Sequence, residues 1–143
     1  MLEQDRFVPV ILIVEDHPPT LELVQRLVST ALPACRVLTA ETAEHALEQC
    51  ASDVPHVVVM DIALPGMDGI EATRRIKALL PGTQVVMHSG KDIQIYRDAA
   101  VVAGASAFVA KSRSFSDLVP AIAALLPPSH RTGGLRSNPA DLD

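Results

Sequence analysis

Aromatic residues are scarce in this sequence: three Phe, one Tyr and no Trp make up 3% of a 143-residue chain that is otherwise 48% hydrophobic. A core without aromatic bulk has to be filled by Val, Ile, Leu and Ala, a composition suited to parallel strands covered on both faces by helices. Cysteine is nearly absent as well. Cys35 and Cys50 have neither CxxC spacing nor metal-ligating neighbours, which disfavours a disulfide framework and leaves a pair of buried, inert thiols in a reducing cytoplasm as the expectation. There is no excess of positive charge. A net charge of -5 without a basic cluster provides no electrostatic footprint for nucleic acid or an anionic membrane, so DNA binding by this chain alone is not expected. No long apolar run is present either: residues 7–14 are too few to cross a bilayer and follow Glu3 and Asp5 rather than a cationic leader, so they read as a strand.

The length fits one domain with one core. A first strand over 8–14 tolerates Pro9 among its opening residues, and after "HPPT" the spacing of Val24, Leu27, Val28 and Ala31 predicts a helix ending at Pro33. A short strand over 36–40 precedes Thr42, which can cap a helix carrying Ala43, Ala46, Leu47, Cys50 and Ala51 on one stripe. The wholly apolar 57–60 predicts a buried strand, followed by a helix over 70–80, a strand over 84–88, a helix over 92–103 closed by Gly104, a strand over 107–110 and a last helix from 115 to before Pro127. Five strands alternating with five helices predict a doubly wound five-stranded parallel α/β sheet. Such sheets place their sites at the carboxyl ends of the strands.

That topology collects residues far apart in sequence. The first strand ends in Glu15-Asp16, the third in Asp61, the fourth in Ser89 and the fifth in Lys111. Three carboxylates on one rim repel unless a proton or cation joins them. Mg²⁺ fits: it is hard, takes oxygen ligands, and commonly uses one or two carboxylates with a phosphate oxygen. Asp16 and Asp61 would ligate it directly and Glu15 through water. With Lys111 as a second positive charge and a hydroxyl nearby, Asp61 is placed to act as a nucleophile towards a phosphoryl group. Pro65-Gly66 and Gly69 would shape the loop behind it.

The stretches "ILIVEDHP", "VVVMDIALPGMDGIE", "VVMHSGK" and "GASAFVAKS" together resemble the receiver domain of two-component response regulators, above all receivers joined to a helix-turn-helix output domain. The likeness covers about residues 8–126 and implies a (βα)5 flavodoxin-like fold. It implies that Asp61 takes phosphate from a histidine kinase or phosphotransfer protein, that Glu15 and Asp16 with Asp61 and the Ala63 backbone carbonyl hold Mg²⁺, that Ser89 and Lys111 contact the phosphoryl group, and that Ser89 and Phe108 form the switch. Ala63, where many relatives have a polar side chain, and His88, where an apolar residue is usual, depart from the pattern. Ala63 together with Lys91 implies slow hydrolysis of a phosphoaspartate.

Other readings remain. An aspartyl-phosphate phosphohydrolase would carry a general acid two residues after its nucleophile, where Ala63 stands. A nucleotide-binding protein lacks its GxxxxGK[ST] or GxGxxG after the first strand. A degenerate receiver that only binds partners conflicts with the complete five-residue set. His17 reads as a residue at the pocket rim, His88 as no metal ligand, and His45, His56 and His130 as exposed. Ile93, Ile95, Val101 and Val102 exceed what one helical stripe needs, which marks the fourth helix, fifth strand and fifth helix as a partner or homodimer face. Residues 1–126 read as the receiver and 127–143, rich in Pro, Gly and Ser, as a disordered tail or linker remnant; that tail has no room for an output domain, so the chain reads as a single-domain regulator or a receiver cut from a longer protein.

Overall fold

The computed structural model describes residues 7–128. Within them five strands, β1 (Val10–Val14), β2 (Arg36–Ala40), β3 (Val57–Met60), β4 (Gln84–Ser89) and β5 (Ala107–Ala110), form one parallel sheet in the order β2-β1-β3-β4-β5. The helices between them are α1 (Pro18–Ala31), α2 (Ala43–Asp53), α3 (Gly69–Leu79) and α4 (Gln94–Ala103), with α5 (Val119–Leu125) closing the chain of elements. All but the first two residues of the expected tail, His130 included, lie outside the described residues.

Strand alternation divides the core in two. Leu12, Val14, Val58, Met60, Val85 and Met87 face α2, α3 and α4, while Ile11, Ile13, Val57, Val59, Val86 and Val109 face α1 and α5. Both faces of the central strands are dry, which is why their sequences are continuously apolar rather than alternating. Strand order reverses about β1, so the crevice at the carboxyl ends of β1 and β3 is the topological switch point, the place where this architecture opens to a ligand.

Helix boundaries follow from local chemistry. In "HPPT" the two prolines begin α1 instead of merely ending β1, because their fixed φ and missing N–H suit the first helical turn. Thr42 caps α2 by accepting the His45 N–H, as its position in sequence predicts. Asp68 caps α3 by accepting the Glu71 N–H, and Gly104 closes α4 in the left-handed conformation.

Several expectations need correction. β1 starts at Val10, not at residue 8: Pro9 has no N–H and contributes only a carbonyl to Arg36 N, while Phe7 and Val8 are exposed. The last helix is not continuous from 115. β5 leads into a 3₁₀ turn, Lys111–Arg113, then a π turn, Ser114–Leu118, and only then α5. Pro120 cannot donate the bond that an α-helix needs towards residue 116, and the wider turn accommodates it. His56 is not exposed: it is half-buried and its Nδ1 accepts the Val10 N–H. Cys50 is buried, with its thiol pushed up to about 11 by burial, but Cys35 is only half-buried.

The loop after β3 explains its glycines. Gly66 has φ of 74°, and at Gly69 a Cβ would stand 1.9 Å from the Asp61 carbonyl oxygen and 2.8 Å from its carbon. The start of α3 is thereby pressed against the peptide that carries Asp61, and the Gly69 N–H donates to Ile62 O at 2.9 Å. Gly69→Ala should destabilise the domain by about 3 kcal/mol, the upper end for overpacking, because backbone rather than a flexible side chain has to give way. Urea unfolding checks this, and stability within about 0.5 kcal/mol of wild type would contradict the packing described.

Candidate functional site

Parallel register places the site. Val14 pairs with Met60 and Ser89 with Ala110, so the residues immediately following β1, β3 and β5 emerge side by side. Glu15 N donates to Ala40 O and Asp61 N to Val14 O, which holds both acidic residues to the sheet after its side chains have turned polar. Glu15 is 2% and Asp61 4% exposed, whereas Asp16 is exposed at the rim. Oxygens of the three carboxylates lie within 4.8 Å of one another, the one such acidic, His or Cys cluster among the described residues.

Lys111 reaches over this cluster. Its Nζ is 2.7 Å from Glu15 Oε1 and donates to Asp61 Oδ2 at 3.2 Å. On the other side the Ala63 N–H donates to Asp61 Oδ1 at 3.3 Å, and the His17 N–H to Glu15 Oε2 at 3.1 Å. Burial, reinforced by the Glu15 charge and only partly offset by Lys111, pushes the Asp61 carboxyl up to about 6. Burial pulls the Lys111 ammonium the other way, but Glu15 and Asp61 outweigh it and raise its pKa above the ordinary lysine value. Glu15 Oε1 is buried without a well-directed hydrogen bond; the short contact with Lys111 is charge pairing.

These groups line one cleft of about 530 Å³, together with His17, Ala63, Ser89, Lys91 and Tyr96. The cleft thus assembles Glu15, Asp16, Asp61, Ala63, Ser89 and Lys111 from the ends of four strands. The Ser89 hydroxyl is not aimed at Asp61 here. It accepts the Lys91 N–H at 3.0 Å and donates to the Lys91 carbonyl at 3.1 Å. Phe108 is not part of the cleft wall. It sits half-buried on β5 against the α2–α4 side of the core, with the Arg97 guanidinium 4.5 Å from its ring centre, a cation–π contact.

The matching family model is that of the response regulator receiver domain, and it spans residues 11–123. The chain belongs to this family. A two-component response regulator of the LuxR family from Aurantimonas sp. SI85-9A1 is 34% identical, with a TM-score of 0.77 over 82% of this chain and 84% of that one. A CheY-like receiver domain protein from Methanospirillum hungatei JF-1 is 27% identical, with a TM-score of 0.75 over 81% and 91%. Among curated proteins, the transcriptional activator protein ExaE of Pseudomonas putida is 32% identical over 81% of this chain and 54% of its own length. The chain spans about half the length of the curated relatives it matches first. The receiver fold and its acidic pocket of Glu15, Asp16 and Asp61 are therefore established together, and no helix among the described residues is long and apolar enough to cross a membrane.

The sequence reading missed two features of this receiver's site. Lys91 matters through its backbone, which holds Ser89; no side-chain pattern signals that. His88, 3% exposed, faces away from the cleft and its Nε2 lies 2.7 Å from Ser114 Oγ. The signal for it was present: a histidine directly after the apolar run Val85, Val86 and Met87. Burial, helped by the nearby Lys111 charge, holds the imidazole down to about 4. With its folded value below the ordinary 6.5, His88 contributes stability in full above about pH 6.5 and loses it as pH falls through 4, on the order of 3 kcal/mol. The stability of wild type relative to His88→Leu should therefore fall by that amount between pH 7 and pH 4. A pH-independent difference in denaturant unfolding would contradict a neutral, buried imidazole.

Proposed function

We propose that this receiver accepts a phosphoryl group on Asp61 from the phosphohistidine of a histidine kinase or phosphotransfer protein, in a Mg²⁺-dependent step, and signals through protein contacts. The observation that carries this reading is the convergence of three carboxylates and one ammonium in a cleft at the switch point of the sheet. In the transfer, an Asp61 carboxylate oxygen forms a bond to phosphorus as the phosphorus–nitrogen bond to the donor imidazole breaks. Lys111 shields Asp61 from Glu15 beforehand and stabilises the charge on the phosphoryl oxygens afterwards. Ser89 leaves its turn with Lys91 to donate to a phosphoryl oxygen, and Phe108 follows into the space it vacates.

The donor set suits a hard divalent cation: all-oxygen, tightly clustered, and including the buried Glu15 Oε1 that no protein donor addresses squarely. Glu15, Asp16, Asp61 and the Ala63 carbonyl are the residues that would hold Mg²⁺, which supplies a second positive charge to the transferring group. Ala63 offers no polar side chain to orient an attacking water and Lys91 covers the mouth of the cleft, so the phosphoaspartate is long-lived and turnover as a phosphohydrolase is disfavoured.

For the output, Ile93, Ile95, Val101 and Val102 are 49–82% exposed on or beside α4. Such a patch suits a partner or a second copy that reads the α4–β5–α5 face. The relatives' greater length favours a second reading in the same scheme: residues 1–126 are the receiver of a longer cytoplasmic transcriptional regulator, and 127–143 begin its linker. This chain alone does not bind nucleic acid.

Asp61→Asn should abolish labelling by a small phosphodonor, since an amide is a poor nucleophile; stable label on that variant would remove Asp61 as acceptor. Two further variants separate metal from transfer. Asp16→Asn should weaken Mg²⁺ binding by about tenfold or more, read from the Mg²⁺ dependence of the thermal midpoint. Lys111→Ala should leave that titration possible but slow transfer about 100-fold, as expected when one charge-stabilising donor is lost. An unchanged metal titration in the first, or wild-type kinetics in the second, would refute the respective role.

A further inference from the structure

The cleft has a counterpart on the other face of β4. Ser89 points into the cleft, and His88, one residue earlier, points the opposite way, into the layer formed with α1 and α5. A buried imidazole is an expensive replacement for an aliphatic side chain unless it is hydrogen-bonded. Here it is: Nε2 lies 2.7 Å from Ser114 Oγ, and the Ser114 hydroxyl donates at 2.8 Å to the carbonyl of Lys111. That carbonyl also accepts the Ser114 backbone N–H. A hydroxyl has a single proton. Because it is committed to Lys111 O, the short contact to the imidazole requires Nε2 to be the donor, so Nε2 carries a proton.

We propose that His88 and Ser114 are positioning residues for Lys111, a clamp that fixes the backbone from which its ammonium reaches Asp61. The proposal rests on the phosphoryl-accepting reading above. A lysine side chain has four rotatable methylenes and little intrinsic preference for one endpoint; anchoring its own carbonyl removes the motion that the side chain would otherwise inherit from the 3₁₀ turn. The clamp also joins β4 to the turns that follow β5. His88 belongs to the strand that ends in Ser89, and Ser114 directly follows the 3₁₀ turn that begins with Lys111, so the hydroxyl and the ammonium are held in relation to each other from behind the sheet.

The test compares wild type, His88→Leu, His88→Gln, Ser114→Ala and the Leu/Ala double variant, phosphorylated with acetyl phosphate over a range of Mg²⁺ concentrations. His88→Leu and Ser114→Ala should each slow labelling at saturating Mg²⁺ by roughly three- to tenfold, the effect of one hydrogen bond, with the half-saturating Mg²⁺ concentration unchanged. The double variant should be no slower than either single one. His88→Gln, whose amide N–H can approach the position of Nε2–H, should recover most of the rate. Wild-type rates in His88→Leu, or equal losses in the Leu and Gln variants, would overturn the proposal. Imidazole ¹⁵N NMR of the unphosphorylated protein separates the two readings. An Nδ1–H tautomer in a chain that labels normally overturns the clamp alone. A wild-type chain that takes no label overturns the acceptor function and the clamp's part in it, even where the Nε2–H tautomer shows the bond to be present.

Discussion

Two largely buried carboxylates, Glu15 and Asp61, follow neighbouring strands of this sheet, and one ammonium pairs with both. Everything at the rim answers to that constraint. The strands must be dry enough to carry the pair inward, the turn after β5 must deliver Lys111 to both oxygens, and backbone N–H groups of His17 and Ala63 must take up the lone pairs that Lys111 leaves. The arrangement is under-compensated: a single positive charge serves the buried pair, with Asp16 adding a third negative charge nearby. An incoming cation or a proton is favoured for electrostatic reasons before any partner is considered. The site is ready to bind because its resting state is incompletely neutralised.

The sheet converts this local tension into a shared one. β1, β3, β4 and β5 each contribute one element of the cleft at their carboxyl ends, and each continues behind it into packed apolar side chains. A shift of Ser89 is therefore a shift of a strand end whose other face bears His88, and a shift of Lys111 moves the turn that leads to α5. Phe108 and Arg97 tie the same edge of the sheet to α4. These connections need no long pathway, since all of them lie within three residues of the cleft.

Most of this was legible from residue order alone. The continuous apolar runs gave away strands buried on both faces, and once the strands were placed, the polar residues after them had to converge, because parallel register leaves them nowhere else to go. Three kinds of information were not legible. One is backbone proximity: nothing about Gly69 in the sequence shows that its missing Cβ is what lets α3 approach the Asp61 peptide. Another is the rotameric state of short polar groups: nothing in the sequence shows that the Ser89 hydroxyl rests in a turn with Lys91. The third is the interruption before α5, where Pro120 sits in a stretch whose apolar spacing suits a helix, and the hydrogen-bond consequence of one missing N–H outweighed the pattern.

The parallel pairing of β1 with β3 has a bearing on how the protein is made. Parallel neighbours cannot be joined by a tight turn, so 46 residues separate Glu15 from Asp61, and 50 more separate Asp61 from Lys111. No hairpin-sized fragment contains any two of Glu15, Asp61 and Lys111. A ribosome must release nearly the whole domain before the acceptor carboxylate meets its counter-charge, and long-range contacts of this kind form late and slowly. An unfinished chain consequently holds the carboxylates without the ammonium that pairs with them.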